Sequence, residues 1–294
     1  MESAIQTLVN AISLGALYAL LALGIALIFG IMNLINFAHG ELVMIGGYAL
    51  TLLAAVWAPV MVLAMIVIVV VAALLMERVA FRPVRGADPT TLLVTSFVVG
   101  FILQNLAIMI FGSLPRTTGA GSGLDRSIEI GGVLVSRLDI VVIAVGAALI
   151  VGLVLLIRST SIGIQMRAAA ENFEIARLLG VRADRIIAFT FALSGLLAAV
   201  AAFFLIAQGG SVSPTFGVAV VLVAFIATIV GGLGSLPGAV VAGFGLGFIT
   251  VGFQELLPTG LVPYRDAFVF LVVLAVLIWR PEGLIPMRAR ATRV

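Results

Sequence analysis

Apolar runs long enough to cross a lipid bilayer follow one another along most of the chain, and that alone removes most of the folds open to 294 residues. A helix crossing hydrocarbon needs roughly 20 mostly apolar residues, because its backbone groups must be paired within the segment. Such runs cover 7–30, 41–57, 58–76, 91–113, 138–157, 186–208, 217–232, 238–256 and 266–280. Several are short or broken by glycine. The sequence therefore predicts an all-α polytopic membrane protein with eight or nine transmembrane helices. Composition agrees, with 63% hydrophobic and 10% charged residues and a mean hydropathy of +1.33, too little polar surface for a soluble domain. No segment is long or polar enough to stand apart, so 1–294 reads as a single transmembrane domain. Any domain that couples energy or captures a ligand belongs to other chains.

The basic residues are all arginine. Without lysine there is no P-loop, no Schiff base and no lysine general base. Without cysteine there is no disulfide, iron–sulfur cluster or thiol catalysis. One histidine makes a metal centre unexpected. The pI near 10.2 points to arginine-rich loops on one membrane face rather than to nucleic acid. Three regions hold 12 of the 16 arginines: Arg78, Arg82 and Arg85; Arg158, Arg167, Arg177, Arg182 and Arg185; and Arg280, Arg288, Arg290 and Arg293. The positive-inside rule places all three in the cytoplasm and loop 114–137 outside. Nine spans satisfy this with the N-terminus outside and the C-terminus inside. The start MESAIQTLVNAIS lacks a basic n-region and does not read as a cleavable signal peptide.

Two stretches break the hydrophobicity. The first, from Gly30 to Gly47, includes all but the last residue of NLINFAHGELVMIGGY at 33–48 and carries the one histidine and a lone glutamate. The second, GGLGSLPGAVVAGFGLG at 231–247, has Pro237 near its middle. Corresponding interruptions in two halves of a transporter are a pointer to its central site, so Asn33, Asn36, His39, Gly40, Glu41, Gly231, Gly232, Gly234 and Pro237 are candidates for the permeation path or gate. They also raise the possibility of an internal, inverted repeat. For 238–247 close helix packing is the favoured role, and for Gly231–Pro237 a loop or unwound turn. His39 reads first as a packed polar residue and second as a gate. Glu41 reads equally as a helix cap near the cytoplasm or as a functional group at depth. Asn33 and Asn36 suit an unwound turn. Gln104 and Asn105 read first as interhelical hydrogen-bonding residues and second as path lining.

The longest arginine-rich segment is 158–185, and its core, AAAENFEIARLLG, is predicted as a helix ending on Gly180. Such a helix sets Ala169, Phe173, Ala176 and Leu179 on one side. Its small, partly acidic surface suits a protein groove better than anionic lipid.

Four stretches, NLINFAHGELVMIGGY, AAAENFEIARLLGV, GGLGSLPGAVVAG and the terminal RPEGL, together resemble the permease subunit of ABC importers for branched-chain amino acids, of the high-affinity LivH type. The resemblance spans most of the chain and implies partners: a second homologous permease, two cytoplasmic ATP-binding subunits and a periplasmic substrate-binding protein. ATP would be bound by the partner subunits, with no cofactor in this chain and no catalytic residue. It implies the bacterial inner membrane and alternating access. It makes Glu171, Phe173, Ala176, Leu179 and Gly180 the residues expected at the ATPase contact. Sister systems carry urea or short amides, which stands as an alternative cargo. A stand-alone secondary transporter or channel using Glu41 is another alternative. An integral-membrane enzyme is disfavoured, since HExxH, GxSxG and paired aspartates at metal spacing are all missing.

Overall fold

The computed structural model describes residues 2–285 except 122, 124–126 and 131–132. Arg126, Arg288, Arg290 and Arg293 thus lie outside the described residues. The order is α1 (Glu2–Met32), α2 (His39–Leu52), α3 (Ala58–Met76), α4 (Pro89–Phe111), β1 (Arg116–Thr117), β2 (Ser127–Ile130), β3 (Val133–Ser136), α5 (Arg137–Ser159), α6 (Ser161–Glu171), α7 (Phe173–Leu178), α8 (Ala183–Gly209), β4 (Ser211–Val212), α9 (Phe216–Gly231), α10 (Leu236–Leu256) and α11 (Arg265–Trp279). This is an all-α multi-pass membrane protein. Seven helices are long and apolar enough to cross a membrane, and α9 is a shorter apolar one. The second span, expected over 41–57, is shorter: α2 starts at His39, stops at Leu52 and has 14 residues.

Burial sorts the helices into an inner and an outer set. The most apolar window of α1 is 78% buried within the chain and that of α8 61%, against 17% for α4 and α5 and 11% for the last span. The inner helices approach closely through glycine. A Cβ on Gly243 would stand 2.5 Å from the backbone of Ala19, and one on Gly247 2.4 Å from that of Gly15. The register, with Gly15 at Gly247 and Gly30 at Gly234, makes α1 and α10 antiparallel. Small residues permit this approach, and dispersion between the backbones replaces the hydrophobic drive that lipid cannot supply. Helix α8 is antiparallel to α1, since Phe204 packs by Ala16 and Leu17 while Ser194 bonds Gly24.

Arg82 and Arg85 pair with Asp184, and Leu284 donates to Val230, so the arginine-bearing segments 77–88, 158–185 and 280–285 gather at one end. At the other end β1 pairs with β4, and β2 with β3 forms a hairpin. These short strands carry too few residues to announce themselves by alternation.

Candidate functional site

Helix α1 ends on Asn33, which adopts φ 51° and is the one described non-glycine residue with positive φ. Asparagine tolerates that left-handed conformation better than most residues. The chain then turns back into the bundle. His39 packs on Gly24, about two turns or roughly 12 Å before the end of α1. The first break is therefore re-entrant, and α2 begins at depth. Only backbone enclosed by protein is tolerated there, and the side chains supply that enclosure. Asn36 Oδ1 accepts from the Ala38 N–H at 3.1 Å. The Phe37 N–H donates to Ser96 Oγ of α4 at 3.2 Å. The Phe37 ring stacks 4.2 Å from Phe97, with Phe225 of α9 on another side at 4.9 Å.

His39 and Glu41 complete a polar cluster. Both are buried, at 0% and 2% exposure, as is Asn36 at 0%. Ser194 Oγ donates to the Gly24 carbonyl at 2.9 Å and lies 3.2 Å from His39 Nδ1. A hydroxyl has one proton, so His39 Nδ1–H is the donor of that second bond and Nε2 is left as the acceptor. Glu41 Oε1 accepts from Gln104 Nε2 of α4 at 2.8 Å. Glu41 Oε2 and His39 Nε2 have no hydrogen-bond partner among the described residues. Oε2 faces Gly217, where an added Cβ would stand 2.7 Å from it. Asn105, beside Gln104, donates to its own helix at Phe101 and is exposed.

Gly217 identifies what the sequence reading missed. A Cβ on Gly40 would stand 2.1 Å from the Gly217 carbonyl oxygen, and one on Gly217 would stand 2.7 Å from the Gly40 backbone. Each of the two glycines is the second residue of its helix, α2 or α9. Residues 210–218 repeat 33–41 at an offset of 177 positions. Gly210 caps α8 at φ 66° as Asn33 caps α1. Its N–H reaches the Ile206 carbonyl at 2.8 Å, as that of Asn33 reaches Phe29 at 2.8 Å. Phe216 N–H bonds Ser213 at 3.1 Å as His39 N–H bonds Asn36 at 3.2 Å, and Val218 bonds Thr215 as Glu41 bonds Ala38. One turn re-enters from the arginine-rich end and the other from the opposite end, so the two halves are inverted. The expected pairing of 30–47 with 231–247 is thereby corrected. The mirror of the first break is 210–217, whose SVSPTFG carries no charge to mark it.

Gly231, Gly232, Gly234 and Pro237 lie apart from this cluster, at the arginine-rich end. Gly232 and Gly234 turn with φ 103° and 79°, and Ser235 Oγ accepts from Gly238 N–H at 3.2 Å to start α10. The terminal RPEGL closes on this turn. Leu284 and Ile285 donate to the Val230 and Gly231 carbonyls, and a Cβ on Gly283 would stand 2.5 Å from Gly232. A cavity of about 270 Å³ opens between Gly234, Pro237, Gly30 and the Met166–Arg167 face of α6.

The loop expected as one helix is two. Asn172 leaves the helical region at φ −155°, and its side chain caps α7 by accepting from Ile175 N–H at 3.0 Å. Asparagine competes for backbone donors in this way, and caps better than it continues a helix. Gly180, at φ 88°, ends the segment as the C-cap signal predicts. The expected single apolar face is therefore divided. Ala169 and Ala176 are buried within the chain, whereas Ile175, Leu178 and Leu179 are exposed, the last two at 87% and 79%. Glu171 is exposed as well. The side chain of Phe173 lies outside the described residues.

The profile of a family described as branched-chain amino acid transport system / permease component matches residues 7–277. The chain is 35% identical to the high-affinity branched-chain amino acid transport system permease protein BraD of Pseudomonas aeruginosa, over 96% of this chain and 95% of that protein. It is 32% identical to the corresponding LivH protein of Escherichia coli K12, over 96% and 95%. A probable branched-chain amino acid transport permease LivH of Methanocaldococcus jannaschii is 29% identical over 94% of this chain and 90% of its own length.

Proposed function

The chain belongs to the branched-chain amino acid transport permease family, whose members are transport components and not enzymes, and from that premise we propose that it is the membrane subunit of an ATP-driven importer. Its cargo is a branched-chain or related hydrophobic amino acid, delivered by a periplasmic binding protein. It pairs with a second homologous permease and sits on two ATP-binding subunits at the arginine-rich end, which faces the cytoplasm across the bacterial inner membrane. The N-terminus is outside and the C-terminus inside.

The observation that carries this reading is the exposed apolar tip of α7 at that end. Leu178 and Leu179 project without cover next to the Gly180 cap, a surface that costs free energy until a partner buries it. Closure of the ATP-binding subunits then moves α6 and α7. Met166 and Arg167 of α6 border the Gly234–Pro237 turn across the shared cavity, so the motion reaches α10 and, through its glycine contacts, α1. The two inverted halves rock about the Gly40–Gly217 crossing, and the path opens alternately to the two sides. Glu171 and Gly180 frame the contact, with Phe173 between them.

Uptake of labelled leucine, isoleucine and valine into proteoliposomes holding the whole complex tests the proposal. ATP-dependent uptake that needs the binding protein is expected. Leu178→Glu with Leu179→Glu should abolish uptake while the permease still inserts. Uptake by the isolated chain without ATP would instead make it a secondary transporter. Uptake of urea or short amides in place of the amino acids would overturn the cargo.

A further inference from the structure

At the arginine-rich end, the turn after α3, the α7–α8 connection and the first turn of α8 enclose a cleft of about 820 Å³. Five guanidinium groups line it, those of Arg82, Arg85, Arg177, Arg182 and Arg185, against the single carboxylate of Asp184. That carboxylate is spent: Oδ2 takes Arg82 and Oδ1 takes Arg85, each at 2.5 Å. Arg85 also pairs with Glu77. Arg177, Arg182 and Arg185 form no ion pair among the described residues. Three positive charges therefore line one cavity without an ion-pair partner among the described residues. Arg85 Nε is buried and has no hydrogen-bond partner among the described residues. The N-terminus of the 27-residue helix α8 adds its dipole to the same point.

We propose that this cleft binds a phosphate group, and that its source is the headgroup of an anionic phospholipid. Guanidinium forks match phosphate oxygens in pairs, which a lone ammonium cannot do. The position selects the lipid source. The cleft is framed by the ends of α3 and α8 and lies within one short turn of the start of α4. The ends of spanning helices are the depth at which lipid phosphates sit. The Arg82–Asp184–Arg85 bridge ties the turn after α3 to the first turn of α8, so a bound headgroup stiffens the junction from which α7 and its exposed leucines project.

The full chain, purified in neutral detergent and titrated with phosphatidylglycerol and phosphatidylcholine, tests this by native mass spectrometry. Arg182→Gln with Arg185→Gln removes two exposed cations that hold no ion pair, and Arg280→Gln is the control at the same end. The wild type should retain phosphatidylglycerol over phosphatidylcholine. The double variant should lose roughly thirtyfold in that affinity, and the control should lose nothing. Displacement of the lipid by millimolar inorganic phosphate or ATP would support the phosphate site and reassign its source to a soluble anion. Equal retention by the double variant and the control would overturn the proposal. So would unchanged lipid retention by the double variant together with its failure to co-purify with the ATP-binding subunits when the whole complex is expressed, which would make the cleft a protein contact.

Discussion

The two re-entrant turns share a backbone and little else. Residues 33–41 and 210–218 use the same left-handed cap, the same backbone bonds and the same glycine at the crossing. Where the first turn has Asn36, Phe37, His39 and Glu41, the second has Ser213, Pro214, Phe216 and Val218. A helix can thus re-enter and restart without histidine or glutamate. The difference teaches that the polar side chains of the first turn serve its neighbours, since each bonds another element: Asn36 to Met76, His39 to Ser194, Glu41 to Gln104. Helix α4 is held to this turn by two bonds, one from the Phe37 backbone N–H to Ser96 and one from Gln104 to Glu41. Its counterpart α11 has Val273 where α4 has Ser96, and among the described residues its side-chain bond to another helix runs instead from Arg265 to Gln254 of α10.

The comparison is most exposed at the crossing itself. Gly40→Val and Gly217→Val should each cost about 3 kcal/mol or more, because the new side chain meets backbone that cannot retreat. Yield of folded protein and unfolding in mixed micelles measure this, and tolerance of one variant but not the other would break the equivalence. His39→Ala should cost about 2–3 kcal/mol from the emptied ring volume, with Ser194 keeping its bond to Gly24. A cost near zero would mean that the turn stands on backbone alone. Glu41→Val writes the second turn's residue into the first and strands the Gln104 amide, for about 1–2 kcal/mol. Adding Gln104→Leu should bring stability back to within about 0.5 kcal/mol, since removing both partners is nearly neutral. Failure of that rescue would assign Glu41 a further partner, at Gly217. Asn105→Leu should change stability by less than about 0.5 kcal/mol, as its bond stays within α4. A larger cost would place a protein surface over that face.

The spans were legible because hydrocarbon leaves a helix no choice of composition, and their ends fall within a few residues of the apolar runs. The first turn was legible because charge at depth stands out, and Gly180 because a helix stop has few alternatives. The second turn was not, although it has the same geometry. Pro214 and Gly217 sit among apolar residues, and an unwound backbone leaves no mark on hydropathy when its side chains stay apolar. The break at Asn172 was hidden in a stretch whose other residues favour a helix. The polar cluster was partly visible: Asn36, His39 and Glu41 were evident, and Gln104 stood out as an interhelical hydrogen-bonding residue, while Ser96 and Ser194 come from helices far away in sequence and only the fold assembles them.

The close pairing of α1 with α10 also sets a schedule for the chain as it is made. Gly247 follows its partner Gly15 by 232 residues, so at roughly 5–20 residues per second the partner arrives between about ten and fifty seconds later. Through that interval the small-residue face of the first helix waits in lipid, where a shallow groove gathers no apolar burial. The most buried of the seven long helices is inserted early and is among the last to be enclosed, and a nascent chain stalled before α10 would present an unpaired glycine face to membrane chaperones and proteases.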